Sequence, residues 1–172
     1  MKRWQADGLL LSVAAIWGLA FVPQSWGMAN VGPFAFTGLR FALGALIVAP
    51  LAWREARQPH ALPVHTEGPP RWLLLLGMGL LIFLGAALQQ VGMLTTSVTN
   101  AGFLTALYVP AVPLLGWLIF KRRPHWIVWP AAVGCVLGTW LLAGAKGVDM
   151  VEGDWWVIAS SVPWALHVVL VG

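Results

Sequence analysis

Residues 98–123 read VTNAGFLTALYVPAVPLLGWLIFKRR, an uncharged and mostly apolar run that ends in three consecutive basic residues. A helix needs about 20 mostly apolar residues to cross the hydrocarbon core of a bilayer, and this run is long enough. Lys and Arg concentrate at the cytoplasmic ends of membrane helices. The stretch therefore predicts a membrane-spanning helix whose C-terminal end lies in the cytoplasm.

The rest of the chain repeats this pattern of apolar runs separated by polar connections. Of the 172 residues, 59% are hydrophobic and 9% are charged, whereas an ordinary soluble domain carries about 25% charged residues. The predicted spans are residues 9–28, 33–52, 72–93, 98–120, 126–145 and 155–172. We therefore predict an all-α, polytopic helical membrane protein with six transmembrane helices, multi-pass in the cell membrane and in contact with the lipid bilayer.

Positive charge is distributed unevenly between alternate connections. The N-terminus and the second and fourth connections hold eight Lys and Arg residues, whereas the first, third and fifth hold one. The fifth connection is acidic, with Asp149, Glu152 and Asp154. The positive-inside rule then predicts a cytoplasmic N-terminus and an external fifth connection.

The sixth predicted span resembles the first when the two are aligned at a single offset. Asp7 aligns with Asp154, Trp17 with Trp164, Leu19 with Leu166 and Val22 with Val169. Five spans separate the two starts, so the second copy enters the membrane from the opposite side. Inverted repeats are typical of transporters, which expose a central site to each side in turn. We therefore predict the first half of an inverted-repeat transporter.

The repeat also predicts the domain organisation. Residues 1–145 form a first five-helix unit, and residues 146–172 comprise the acidic outer loop and the first helix of a second unit. The second unit has only begun at Gly172, and no basic residue follows the sixth span. We therefore expect a truncated chain, completed in its parent protein by about four further helices.

Short motifs in a fixed order carry a resemblance to a known family. They are IWGLAFV at 16–22, GLRF at 38–41, TTS at 95–97, AGF at 101–103, YVPAVPL at 108–114 and WAL at 164–166. Over nearly the whole chain they resemble the EamA domain of the drug/metabolite transporter superfamily. The resemblance implies a ten-helix carrier of two inverted repeats that moves small organic metabolites or drugs. The family often has a Glu after its fourth helix, where this chain has basic residues 121–123.

Other classes of membrane protein fit the sequence less well. The predicted spans contain no Asp or Glu, which excludes a carboxylate dyad within them, and we expect neither an enzyme nor a cofactor. A channel would need an oligomer to form rings of carbonyls or charges. The main alternative is a truncated membrane protein or scaffold that transports nothing. The basic residues lie in the connections, so we expect no nucleic-acid partner.

Arg40 is the only formally charged residue well inside a predicted span. A charge at the middle of a membrane costs about 3 kcal/mol on insertion scales, so the side chain needs a cavity, a partner or the interface. Two interpretations stay open. Arg40 binds an anionic group of the substrate or gates the site, or it makes a structural bond to a carbonyl or a phosphate.

Further candidates for substrate binding are polar, aromatic or proline residues deep in the spans. Gln89 lies on one helix face with Gly85 and Gly92, which predicts either a close contact with another helix or the wall of a polar cavity. Pro110 interrupts the backbone hydrogen bonds of the fourth span, and it either frees a carbonyl there for a substrate or ion or kinks the helix for packing. The remaining candidates, each open to a packing role as well, are Trp17, Asn100, Tyr108 and Trp164.

Two features suggest roles other than direct binding. His167 is the only residue within a predicted span that titrates near neutral pH, so it is either a proton-coupling group or a packing residue. Gly134 and Gly138 form a G-x-x-x-G pattern, which predicts either a homodimer face or close packing within the chain. Cys135 is the single cysteine, so we expect no cysteine metal cluster.

Overall fold

The computed structural model describes residues 3–57, 70–121, 123–142 and 150–171. Within these ranges the chain is helical and has no strand. The helices are α1 (Arg3–Leu19), α2 (Phe21–Val31), α3 (Pro33–Ala56), α4 (Arg71–Gly92), α5 (Val98–Thr105), α6 (Tyr108–Phe120), α7 (Val128–Leu142) and α8 (Glu152–Val171). Most of the second predicted connection and residues 146–149 of the fifth lie outside the described residues.

The first predicted span is divided into two helices by a proline. α1 ends at Leu19, and α2 begins at Phe21, two residues before Pro23. Pro23 has no N–H to donate to the Leu19 carbonyl, and in a continuous helix its ring would clash with that carbonyl. Gly32, at a φ of 76°, then turns the chain from α2 into α3, because glycine adopts a positive φ without a steric penalty.

The fourth predicted span breaks in the same way. α5 ends at Thr105, and α6 begins at Tyr108. Pro110 cannot donate to the Ala106 carbonyl four residues earlier. That carbonyl instead accepts the Val109 N–H at 3.0 Å in a tighter turn. The interruption that Pro110 predicts in this span is therefore present.

Within the described residues, five helical segments are long and apolar enough to cross a membrane. They are Trp4–Val31, Pro33–Ala56, Trp72–Gly92, Val98–Phe120 and Glu152–Val171. They correspond to every predicted span except the fifth, whose apolar helix, Val128–Gly138, is shorter within the described residues. The predicted fold class, an all-α polytopic membrane protein, is confirmed.

The bundle has an apolar surface and a partly polar interior. Leu9 and Leu11, on α1, are 57% and 72% exposed, and large apolar side chains are exposed on other helices too. The largest fully buried side chains include Gln90, Thr37 and Ser160. Such a surface is unfavourable in water but is solvated by lipid. The distribution of side chains is therefore that of a membrane protein.

α8 is packed against α4, α5 and α6. Its closest approach is to the C-terminal end of α4, where a Cβ added to Gly92 would lie 2.6 Å from the Gly153 carbonyl oxygen and 2.6 Å from the Val157 side chain. A Cβ added to Gly85 would lie 3.1 Å from the indole of Trp164. The close helix contact predicted for the glycines beside Gln89 is therefore present, with α8 as the partner helix.

The position of Asp154 differs from the prediction. The sequence predicts that Asp154 lies in an external connection, whereas α8 begins at Glu152 and holds Asp154 in its first turn at 1% exposure. Its carboxylate accepts the Val151 N–H at 3.1 Å and the Thr96 hydroxyl. A negative charge in the first turn is favoured by the helix dipole. The buried carboxylate thus ties α8 to the turn between α4 and α5.

Candidate functional site

A cavity of about 590 Å³ lies between the helices. The volume falls within the range of about 300–1,000 Å³ that is typical of sites for small organic ligands. The lining residues are Ala14, Trp17, Gly18, Ala20, Phe21, Gln24, Arg40, Phe41, Ile82, Gln89, Gly102, Thr105, Ala106, Tyr108, Val109 and Trp164. Every described helix except α7 contributes to this wall. The turns at both helix breaks contribute to it as well.

Both proline-induced helix breaks adjoin the cavity. Ala20 and Phe21 come from the break between α1 and α2, and Ala106 and Tyr108 come from the break between α5 and α6. Broken membrane helices offer backbone polar groups to substrates and ions in transporters. Each break contributes one helix C-terminus and one helix N-terminus, so the opposing dipoles offset one another. The breaks therefore supply backbone polarity with little net charge.

Arg40 reaches the cavity from α3. Its Nη1 donates to the Gln24 Oε1 at 2.5 Å. The guanidinium carbon lies 5.9 Å from the Phe36 ring centroid and 5.3 Å from the Phe41 ring centroid, within cation–π range. The partners of this half-buried charge are thus an amide and two aromatic faces. They hold the guanidinium at the cavity wall without neutralising it.

A chain of side-chain hydrogen bonds continues from Gln24 across the bundle. Gln24 Nε2 donates to Gln90 Oε1 at 2.9 Å and lies 3.5 Å from Gln89 Oε1. Gln89 Nε2 donates to Thr105 Oγ1 at 2.9 Å, and the Thr105 hydroxyl donates to the Ala101 carbonyl at 2.6 Å. The chain links α2, α4 and α5 along the cavity wall, which Gln24, Gln89 and Thr105 also line.

The direction of this chain is fixed at its Arg40 end. A guanidinium only donates hydrogen bonds, so Gln24 must turn its Oε1 toward Arg40 and its Nε2 toward α4. Gln89 must then present its Oε1 to Gln24 and its Nε2 to Thr105. The Thr105 hydroxyl, having accepted a hydrogen bond, donates its proton to the Ala101 carbonyl. One cationic side chain therefore sets the orientation of the amides that line the cavity.

Two tryptophans form an aromatic wall of the cavity. Trp17 on α1 and Trp164 on α8 meet edge to face, with ring centroids 5.8 Å apart and ring planes at 73°. This geometry is favourable for aromatic pairs. The two residues are those that the internal alignment superimposed, so the equivalent positions of the aligned spans touch one another at the cavity.

Comparison with known protein families shows to which family the chain belongs. The sequence profile of the EamA-like transporter family matches residues 4–144. The chain belongs to that family. The match confirms the resemblance drawn from the motifs and shows a multi-pass membrane protein of a transporter family. The matched residues include Trp17, Arg40, Gln89 and Tyr108, whereas Trp164 lies beyond them on α8.

A curated relative supports the same assignment. The chain is similar to an uncharacterized transporter of Archaeoglobus fulgidus, with 33% identity over 123 residues. The match covers 70% of this chain and 34% of that protein, so the chain spans about a third of the relative's length. No solved structure matches the chain.

The structure brings most of the predicted EamA site residues together. Trp17, Arg40, Gln89, Tyr108 and Trp164 all line the one cavity, although they come from five different helices. They lie far apart in the sequence, and the packing of the helices brings them around one cavity. Their roles in binding remain predictions, because shared location does not identify a ligand.

Two predicted site residues lie elsewhere. Asn100 is half-buried at the start of α5, where its backbone N–H donates to the Ser97 hydroxyl at 3.0 Å, and it is not among the lining residues. Pro110 is buried in α6 and is not a lining residue either. Its contribution is indirect, because it produces the break whose turn faces the cavity. Asn100 lies in the first turn of α5, which the Ser97 side chain caps.

His167, Gly134 and Gly138 have no part in the cavity wall. His167 is half-buried on α8, and its buried Nδ1 has no hydrogen-bond partner among the described residues. A Cβ added to Gly134 or Gly138 would meet no atom of the described chain within 4 Å. The described residues therefore do not use these glycines for packing within the chain, and the homodimer face remains a prediction.

Gln24 was not among the predicted site residues, although it connects Arg40 to the rest of the polar chain. Gln24 is 5% exposed and follows Pro23, which breaks the span. A buried amide next to a helix-breaking proline was a usable signal, since a polar group in a span needs a partner. Phe21 and Phe41 gave no comparable signal, because aromatic residues are common throughout these spans.

Proposed function

We propose that the cavity between the two broken helices is the substrate site of a secondary carrier or exporter for small organic metabolites or drugs. The observation that supports this most directly is the meeting of both helix breaks at one cavity. Independent breaks in two spans would be costly in a purely structural bundle, since each removes backbone hydrogen bonds in a low-dielectric environment. The breaks become useful where their freed polar groups face a solute.

The composition of the wall supports an organic solute rather than a simple ion. Trp17, Phe21, Tyr108 and Trp164 supply flat apolar surface, and Gln89 supplies an amide. Binding sites for small molecules are mostly apolar and carry a few polar groups that fix orientation. We place the carrier in the cell membrane with its N-terminus in the cytoplasm, as the distribution of basic residues predicts.

A cavity-filling substitution tests this proposal. Gly102 lines the cavity, and a Cβ added there meets nothing within 4 Å, so Gly102→Leu should occupy the site without disturbing the fold. Gly44→Leu is the matched control, since Gly44 also has free space around a Cβ but is exposed on α3 away from the cavity. Both changes replace glycine within a helix by a better helix former.

The measurement is uptake into proteoliposomes that contain the purified chain. Radiolabelled phenylalanine, 3-phenylpropanoate and 3-phenylpropylamine serve as probes of the organic-solute class. We expect uptake of at least one probe by the unsubstituted chain and by Gly44→Leu, and loss of that uptake in Gly102→Leu. Equal uptake by all three forms, or no uptake of any probe by the unsubstituted chain, would contradict the proposal.

A further inference from the structure

The cavity wall carries one formal charge among the described residues. Of the described residues that line it, Arg40 alone is charged. The acidic residues within the described ranges are Asp7, Glu55, Glu152 and Asp154, and none of them is a lining residue. Helix dipoles at the two breaks offset one another, so the guanidinium determines the sign of the potential in the site.

Most of the hydrogen-bonding capacity of Arg40 is unused within the described chain. A guanidinium has five N–H donors in a planar fork. One of them donates to Gln24 Oε1, and the remaining interactions of the group are with the Phe36 and Phe41 rings. A neutral amide oxygen is a weaker partner for a guanidinium than a carboxylate or phosphate, which binds the fork through two charge-assisted hydrogen bonds.

The aromatic wall complements this charge. Trp17 and Trp164 lie edge to face across one part of the cavity, and Tyr108 and Phe21 extend the flat surface. We propose that the site selects organic anions, with the anionic group on Arg40 and a planar apolar body against the tryptophan pair. This inference rests on the proposed function and specifies the charge class of its substrate. The anionic group binds the donors of the guanidinium that Gln24 Oε1 does not use.

Three probes of the same shape and different charge test the selection. They are 3-phenylpropanoate, 3-phenylpropan-1-ol and 3-phenylpropylamine, each titrated into the purified chain in an uncharged, phosphate-free detergent and followed by calorimetry. We expect the anion to bind at least about tenfold more tightly than the amine, because a charge-assisted pair in a partly dehydrated site replaces a repulsion. Equal affinities, or tighter binding of the amine, would overturn the inference.

A nearly isosteric substitution tests the role of the Arg40–Gln24 pair. Gln24→Glu places a carboxylate where the guanidinium already has its amide partner, and it should neutralise the site from within. We expect the anion to lose about tenfold in affinity and the amine to gain. Asn30→Asp adds the same charge at an exposed position of the same helix and should change neither affinity. Unchanged selectivity in Gln24→Glu would contradict the proposal.

A second variant covers the case in which Gln24→Glu does not fold. Arg40→Gln removes the charge, and we expect the three probes to bind it with similar affinities. Persistent preference for the anion in this variant would show that Arg40 does not select charge. A structural arginine would lower all three affinities together, whereas a selecting arginine changes their ratio.

The phosphate of a lipid headgroup is also an anionic group that a guanidinium can bind. A further titration distinguishes such a lipid from a soluble organic anion. Phosphatidylglycerol is mixed into the micelles at increasing mole fractions before the titration with 3-phenylpropanoate. We expect no competition, because the probe occupies an aromatic-walled cavity that a diacyl lipid cannot enter. Competitive loss of probe binding would assign Arg40 to lipid and overturn the inference. The uptake experiment with Gly102→Leu tests transport separately, so charge selection can fail while the proposed function holds.

Discussion

At the scale of single residues, the site depends on a small number of polar groups inside an apolar bundle. Gln24, Gln89 and Thr105 are each at most 8% exposed, and each takes part in the chain that begins at Arg40. Hydrogen bonds between membrane helices contribute only about 0.6 kcal/mol on average. Their importance here is orientation, since each amide is turned the way its neighbour requires.

The hydroxyl of Thr105 is a point at which this orientation can be tested. Thr105→Val keeps the shape of the side chain but removes both the acceptor for Gln89 Nε2 and the donor to the Ala101 carbonyl. We expect a loss of stability of about 1 kcal/mol, because a buried amide donor is left without a partner. Thr105→Ser retains the hydroxyl and should be close to unchanged.

The free energy of unfolding of both Thr105 variants can be measured by denaturation in mixed micelles. Thr105→Val should also weaken binding of 3-phenylpropanoate, because Gln89 is then free to rotate away from its place in the wall. Equal stability and equal binding in the Val and Ser variants would show that the hydroxyl is not part of an ordered chain.

The sequence predicted some of these polar residues and missed others. Arg40 and Gln89 were identifiable, because polar groups in apolar spans need a cavity or a partner. The role of Gln24 and the position of Asp154 were not predicted, for different reasons. The partners of Gln24 come from other helices and depend on tertiary packing. Asp154 lies within the few residues over which a helix boundary is uncertain, so the sequence was compatible with both a loop and a buried first turn.

At the scale of helices, prolines and glycines shape the site more than large side chains do. Pro23 and Pro110 end α1 and α5, whereas Pro50 and Pro113 lie within α3 and α6 without dividing them. The difference was not predictable from the sequence, since a proline only removes one hydrogen bond and neighbouring helices determine whether the helix kinks or breaks.

The break at Pro110 is expected to be necessary for binding. Pro110→Ala restores a backbone donor to the Ala106 carbonyl and should favour one continuous helix from α5 into α6. We expect weaker binding of 3-phenylpropanoate and no loss of stability. Pro50→Ala is the control, because Pro50 is exposed on α3 away from the cavity. Distances between spin labels at Val98 and Leu118 should lengthen in Pro110→Ala alone; an unchanged distance would contradict the prediction.

The α4–α8 contact makes a second prediction at this scale. Gly92→Ala would place a methyl group 2.6 Å from the Gly153 carbonyl oxygen, so α8 must move. We expect a destabilisation of about 1–3 kcal/mol, typical of overpacking. Gly77→Ala, on the same helix with nothing within 4 Å of its Cβ, should be neutral or slightly stabilising. Similar unfolding free energies for the two variants would mean that the helices are not closely packed there.

At the scale of the whole molecule, α8 joins the two predicted units into one bundle. The family profile ends at residue 144, yet α8 packs against α4, α5 and α6 and supplies Trp164 to the cavity. The membrane class, the order of the spans and the family were predictable, because hydropathy and short motifs are local properties of the sequence. The packing of α8 between the other helices depends on distant contacts, and only the glycines beside Gln89 indicated it.

The orientation in the membrane remains a prediction at this scale. Single cysteines at Val151 and at Arg123, both exposed, are introduced into a Cys135→Ser chain and treated with a membrane-impermeant maleimide on intact cells. We expect labelling at position 151 from outside, and labelling at position 123 only after the membrane is opened. The reverse pattern would invert the proposed topology, and labelling of both sites from outside would remove one span between them.

The chain of hydrogen bonds from Arg40 to the Ala101 carbonyl has a consequence for energetics as well as for order. Proton hopping along such a path requires each member to release one proton and take up another, as water, imidazole or a carboxyl group can do. A guanidinium holds its protons permanently, and amide groups do not give theirs up near neutral pH. Protons therefore do not hop along this path, and the polar groups that it brings to the cavity wall add no proton leak of their own.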